Sequence, residues 1–229
     1  MSKFMRTLMA GAVAVAALVP VAAQAGSSDG KIQVKVLGTA VLPDGKLKGM
    51  PSTDIVTAGA LGTTINTKAS DNFVPTLAVE YFFTPNISAE TICCFTSHHV
   101  NATGAASGKL ADDIMILPAT LTLKYHLPLG PIKPYVGAGP AVFFFLKDKV
   151  GATGADLGAT SVNISDKVGV ALQAGVDIPV NDQGLSVSLD AKRYFMRPTA
   201  HFYAGSTEAI AAKVKLDPWV LSAGVAYRF

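Results

Sequence analysis

Charged side chains are scarce in this chain: Asp, Glu, Lys and Arg supply 15% of it, against roughly 25% in soluble domains. Long apolar runs are as rare. The one present, Thr7 to Val19, ends at Pro20 and is shorter than the roughly 20 apolar residues of a spanning helix. Half of all residues are nonetheless hydrophobic. No Ser/His/Asp set, phosphate loop or metal-ligand motif occurs, so nothing in the chain points to an enzyme or to a cofactor. The two cysteines, Cys93 and Cys94, are adjacent; neighbours on a strand face opposite ways, so they do not converge on a metal with His98 and His99, and a bond between them closes a strained ring.

What is present begins with Lys3 and Arg6, the uncharged run, and Ala23-Gln24-Ala25 before Gly26. That is the pattern of a cleavable secretory signal over residues 1–25, leaving 26–229 as one domain. Removing Lys3 and Arg6 lowers the net charge from +3 to +1, so the basic balance partly reflects export and suggests no nucleic-acid partner. In lipid every backbone N–H and C=O must be paired internally, which leaves helices or closed barrels. An exported chain this apolar without spanning helices therefore points to a barrel.

Period-2 alternation marks eight segments: Lys31–Leu42, Asn72–Thr84, Ile87–Ser97, Ile114–Leu127, Lys133–Leu146, Asp166–Ile178, Leu185–Tyr194 and Ala212–Phe229. The fourth is the clearest, with Ala119, Leu121, Leu123, Tyr125 and Leu127 set against Thr120, Thr122, Lys124 and His126. In the first, Gln33, Lys35 and Thr39 form the inner polar face. In the fifth, Gly137 and Gly139 share a face suited to a crowded lumen or a bend. Connections alternate long and short, the habit of outer-membrane barrels with long external loops and short periplasmic turns.

Charge decides which face is inside. Glu80, Glu90, Lys124, Lys167, Asp177, Asp190 and Lys192 all oppose the apolar rows, and a soluble sandwich cannot bury seven such groups in its core. These residues, with His126 and Gln173, are the lumen-facing candidates. Glu80 and Glu90 are read as pairing with Lys124 or Lys192 in an ion network that plugs the barrel, not as a catalytic carboxylate pair. Tyr81, Tyr125, Tyr135, Trp219, Tyr227 and Phe229 are read as interfacial aromatic belts. Phe143-Phe144-Phe145 suits either a rim girdle or a channel mouth. Lys46, Lys48, Lys109, Lys147 and Lys149 fall in or near long loops, where charge draws them toward lipopolysaccharide phosphates or simply into water. The fold expected is all-β, an eight-stranded antiparallel up-and-down transmembrane barrel.

Several blocks resemble the OmpW family of outer-membrane proteins: Pro75-Thr76-Leu77 with Tyr81-Phe82, Leu117-Pro118-Ala119-Thr120-Leu121-Thr122-Leu123 with Tyr125-His126, Pro134-Tyr135-Val136-Gly137-Ala138-Gly139, and the ending Tyr227-Arg228-Phe229. The resemblance spans nearly all of 26–229 and includes alkane-uptake proteins of the AlkL type. It implies residence in the bacterial outer membrane and a narrow channel passing small hydrophobic molecules passively toward a lateral opening. It also implies contact with outer-membrane lipids and lipopolysaccharide, and handling by the barrel-assembly machinery through the C-terminal strand. The chain departs from its relatives at the tip of the third segment, where Cys93-Cys94-Phe95 and His98-His99 stand. The rival expectation is a plugged barrel with a structural or surface-interaction role in the envelope.

Overall fold

The computed structural model describes residues 27, 29–44, 46–53, 66–103, 108–156 and 158–229; the signal peptide read at 1–25 lies outside them. Eight strands close the barrel: β1 (Ile32–Leu42), β4 (Asn72–Phe82), β5 (Ile87–Cys93), β7 (Gly108–His126), β8 (Lys133–Val150), β10 (Lys167–Pro179), β11 (Leu185–Phe195) and β14 (Trp219–Arg228). They run in the order β7-β5-β4-β1-β14-β11-β10-β8, and β8 pairs with β7 to complete the cylinder. All pairings are antiparallel. No helix among the described residues is long and apolar enough to cross a membrane; the one short helix, α1 (Ala152–Asp156), sits in a loop.

The side chains are arranged as the alternation requires. Leu121, Leu123, Val136, Val170, Leu189 and Val225 point outward, Leu123 with 59% of its surface exposed, while Lys35, Glu80, Glu90 and Lys124 are buried inside. Exposing this apolar belt to water would forfeit about 25 cal/mol for every Å², whereas hydrocarbon covers it at no such cost.

The long external connections hold strands that the alternation did not show. β2 (Lys46–Thr53), β9 (Ser161–Ile164), β12 (Thr199–Ala204) and β13 (Thr207–Lys215) form a separate sheet in the order β2-β13-β12-β9. β3 (Asn66–Ala69) and β6 (Thr96–Thr103) extend the barrel sheet beside the outer half of β7. Two segment boundaries change with them. The third segment breaks at Cys94 and Phe95, which belong to no strand. The eighth does not start at Ala212: that residue belongs to β13, and the chain turns at Asp217, in a left-handed conformation (φ 23°), before Pro218. The Asp217 carboxylate accepts the Met196 amide at 2.6 Å and fixes that break.

Candidate functional site

The lumen has two layers. The lower one is an ion network to which seven of the eight barrel strands, all but β14, contribute. At its centre the Lys124 ammonium lies 2.8 Å from Glu80 and 2.9 Å from Glu90, which face each other directly across the β4–β5 hairpin. Lys35 reaches Glu80, Glu90 and Asp177 at 3.1–3.3 Å. Lys192 reaches Asp190 at 2.7 Å and Glu90 at 3.0 Å. Gln173 donates to Glu90 and Asp190 and accepts from the Thr122 hydroxyl. Gln33 and Ser188 donate to Asp177, and Ser88 and His126 close on Glu80. Beneath them Arg228 of β14 stacks on Phe82, 3.5 Å from the ring centroid, and donates to the Gly30 carbonyl. Apart from Thr76 Oγ1, every buried polar side-chain atom among the described residues has a hydrogen-bond partner. A buried charge left unpaired costs several kcal/mol, so this mutual satisfaction is what allows three ammonium groups and four carboxylates to share a narrow lumen.

Eight of the nine lumen candidates therefore lie inside: seven of them bond directly to one another, and Asp177 joins them through Lys35, which the candidate set omitted. Lys35 is the most consequential omission, although its strand's inner face was legible. Lys167 does not join the network. It opens β10 at the external end, cross-strand from Phe143, where its side chain is exposed to water. Tyr135 is the other displaced residue: it is not an interfacial ring but is 2% exposed, donating to Asp190 at 2.8 Å, with the Lys124 ammonium 3.7 Å from its ring centroid. The cause is Gly175, its cross-strand partner; a Cβ there would fall 2.4 Å from the Tyr135 hydroxyl oxygen. Only a glycine leaves room for that ring. Tyr135 shares a face with Gly137 and Gly139, so the same alternation carried the signal. Tyr81, Tyr125, Trp219 and Tyr227 are exposed on the outer wall, with Phe229 partly so.

The upper layer is a small apolar chamber that opens outward, walled by Val41, Ile92, Ile116, Phe143, Leu216 and Val220. Its polar atoms are turned away or already bonded. Tyr194 and Thr120 share a hydrogen bond of 3.2 Å at the floor. His98, on β6 beyond the apolar band, bonds Thr96 and the Ser70 carbonyl, and burial holds its imidazole below the usual pKa. Phe143, of the three consecutive phenylalanines, is the one that lines the chamber.

One side of the chamber wall lacks backbone pairing. The β5–β7 ladder ends at Ile92↔Thr120 and resumes in the same register at Thr96↔Ile116 on β6, while the β4–β5 ladder ends at Leu77↔Cys93. Cys94 and Phe95 thus pair with neither neighbour. Pro75 and Pro118, which have no N–H to give, stand on the two flanking strands. Asn72 closes the opening from above, donating to Thr96 and to the Ser97 carbonyl. Cys94 faces the chamber, Cys93 and Phe95 face outward, and both thiols are free. No group of three or more metal-ligating side chains gathers among the described residues. Of the loop lysines, Lys109 pairs with Asp112 at 3.0 Å and Lys149 with Asp113 at 3.1 Å; the side chains of Lys46, Lys48 and Lys147 lie outside the described set.

Comparison with known proteins agrees with this architecture. An uncharacterized outer-membrane protein, y4mB, of Sinorhizobium fredii is 34% identical over 206 residues, 90% of this chain and 82% of its own length. Outer membrane protein W of Vibrio cholerae is 31% identical, over 67% of this chain and 72% of its own. Among solved structures, the outer membrane protein OprG from Pseudomonas aeruginosa superposes with a TM-score of 0.75 at 25% identity, covering 89% of this chain and 98% of that one. AlkL, solved in lipid bilayers, shares the fold with a TM-score of 0.69 at 21% identity, covering 90% and 93%. The OmpW family model matches residues 28–229, essentially everything after the leader-like segment. With its closed cylinder, apolar exterior and this match, the chain belongs to the OmpW family of outer-membrane proteins.

Proposed function

We propose that the barrel is a passive conduit for small hydrophobic solutes, which enter the upper chamber from the external side and leave sideways into the membrane past Cys94 and Phe95. The observation that carries this reading is the contrast within the lumen: an apolar chamber is sealed beneath by paired charges and lacks backbone pairing on one side. An apolar solute loses nothing by entering the chamber, but descending further would strip water-like partners from buried ions. The side of the barrel is then its cheapest way out. An eight-stranded cylinder leaves space for one small ligand at most, so the solute moves singly, driven by its gradient and without a cofactor.

The test is uptake of a small apolar fluorophore by liposomes bearing the protein or Ile116→Trp, whose indole fills the chamber. Wild type speeds uptake and Ile116→Trp abolishes the gain, while a charged dye of similar size stays outside in both. Equal uptake by the two proteins would assign the barrel a structural or surface-interaction role instead.

A further inference from the structure

The outer wall carries a cluster of cations at its external rim. Along β11 and just past its end, Arg193, Phe195 and Arg197 point outward in alternation with the inward Lys192, Tyr194 and Met196. Arg193 stands cross-strand from Trp219, its guanidinium 5.2 Å from the indole centroid. Backbone bonds from Tyr194 to Pro218, Leu216 to Met196 and Val214 to Pro198 carry the same ladder upward. Arg197 is thereby set beside Lys215, and Lys213 opposite Thr199.

Like charges across a pair of strands repel, and local carboxylates answer only part of this cluster. Lys215 is held by Asp44 at 2.7 Å, with Asp217 at 3.8 Å. Asp217 also accepts the Met196 amide, and on the neighbouring side Asp166 accepts the Phe145 amide. Arg193, Arg197 and Lys213 have no ion pair among the described residues. Elsewhere on the rim the arrangement differs, for Lys109 and Lys149 each have an aspartate.

Depth identifies the occupant. Trp219 opens a ten-residue strand, so at roughly 3.3 Å per residue and about 40° of tilt it stands ~25 Å above the periplasmic end, the height of a barrel's apolar band. Arg193 is level with it, and Arg197, four residues further along the same ladder, stands about 10 Å higher. Leu172 is cross-strand from Arg193, and below them Leu189 and Leu221 are exposed to hydrocarbon. Cations at head-group height above an apolar wall match an amphiphile with phosphate at its head and acyl chains beneath. We infer that Arg193, Arg197 and Lys213, spread over about 20 Å of one ladder, bind the phosphate groups of an outer-leaflet glycolipid, whose chains run down past Leu189 and Leu221. Guanidinium suits this task because its planar fork grips phosphate oxygens in pairs. This site is independent of solute passage and stands or falls separately from it.

Trp219 is the chain's single tryptophan and reports on the site directly. The barrel in neutral detergent is titrated with phosphorylated lipid A while its emission is followed. A saturable change is expected, weakened about tenfold in Arg193→Gln/Arg197→Gln, the loss of roughly 1.4 kcal/mol of charge-assisted contact, and unchanged in Lys109→Gln/Lys149→Gln. Lys213→Gln, in the sheet outside the membrane, gives a smaller loss should the double variant fold poorly. An identical titration with dephosphorylated lipid A, saturation by inorganic phosphate at the same concentration, or equal weakening in both double variants overturns the assignment.

Discussion

The lower and upper halves of the lumen are built from the same eight strands, yet they handle burial in opposite ways. The lower half buries charge and matches each ionised group with partners from several strands. The upper half buries almost no free polar atom and keeps its space unfilled. Filling with paired ions specifies a unique arrangement and rigidifies the cylinder. Leaving apolar walls around an open chamber forgoes some of the contacts that close packing would give, and it keeps the upper half accessible in a way the ion-filled layer is not.

The sharpest way to break the contrast is Lys124→Met. It leaves Glu80 and Glu90 facing each other with Lys35 as their shared remaining ammonium, and removing one partner from a buried ion network typically costs about 3–5 kcal/mol. Unfolding in detergent, followed by the gel-mobility shift between folded and heat-denatured barrel, reads this directly. A loss below about 1 kcal/mol would mean that the network is as weak as a surface ion pair. The chamber, being remote from Lys124, keeps its accessibility in the fraction that stays folded.

Gly175→Ala attacks the same layer through shape. The new methyl group meets the Tyr135 ring, which must tilt and loosen its bond to Asp190; overpacking of this kind costs about 1–3 kcal/mol. Pairing the variant with Tyr135→Phe checks the cause. The phenylalanine ring retains its clash, so the alanine substitution remains costly in that background, whereas Tyr135→Leu removes the ring's share and leaves the contact with the Leu189 carbonyl.

A mirrored pair of substitutions distinguishes the layers with a smaller effect. Thr122→Val withdraws the hydroxyl that serves Gln173 and leaves an unmatched acceptor, at about 1–3 kcal/mol. Val220→Thr makes the reverse exchange in the chamber wall, where the open space admits a water to meet the new hydroxyl, so its cost falls below that of Thr122→Val. The two melting curves taken together are the measurement. Equal losses would show that the halves respond alike to polarity.

The barrel was legible because period-2 alternation survives in each wall segment, and the inward charges had no other place to go. Glu80, Glu90 and Lys124 could be grouped from their facing alone. Harder to read were features that depend on height along the strand rather than on facing. Lys167 has the inward parity but stands where water reaches it. Tyr135 has the inward parity too, and its chemistry as an amphipathic ring hid the position, which only the glycine across from it explains. The external four-stranded sheet was not separable in the sequence because its strands are short and, apart from the β12–β13 hairpin, pair over long sequence separations, as β2 does with β13. The interrupted ladder at Cys94 was invisible for another reason: Cys93 and Cys94 fit the alternation, and pairing is a property of neighbours, not of one segment.

The adjacent thiols offer the finest probe of that interruption. Cys94 faces the chamber and Cys93 faces outward, so single-cysteine variants, Cys93→Ser and Cys94→Ser, place one reporter on each side of the wall. Each change costs little stability, since one sulfur is exposed and the other borders open space. N-ethylmaleimide, small and weakly polar, is expected to reach Cys94 through the chamber and Cys93 through the lipid. Ile116→Trp then slows labelling of Cys94 while leaving Cys93 as it was, because only the first route passes the new indole. Should the indole slow both thiols alike, or neither, the chamber would not be the path to Cys94, and the wall at that point would be closed more firmly than its missing backbone bonds suggest.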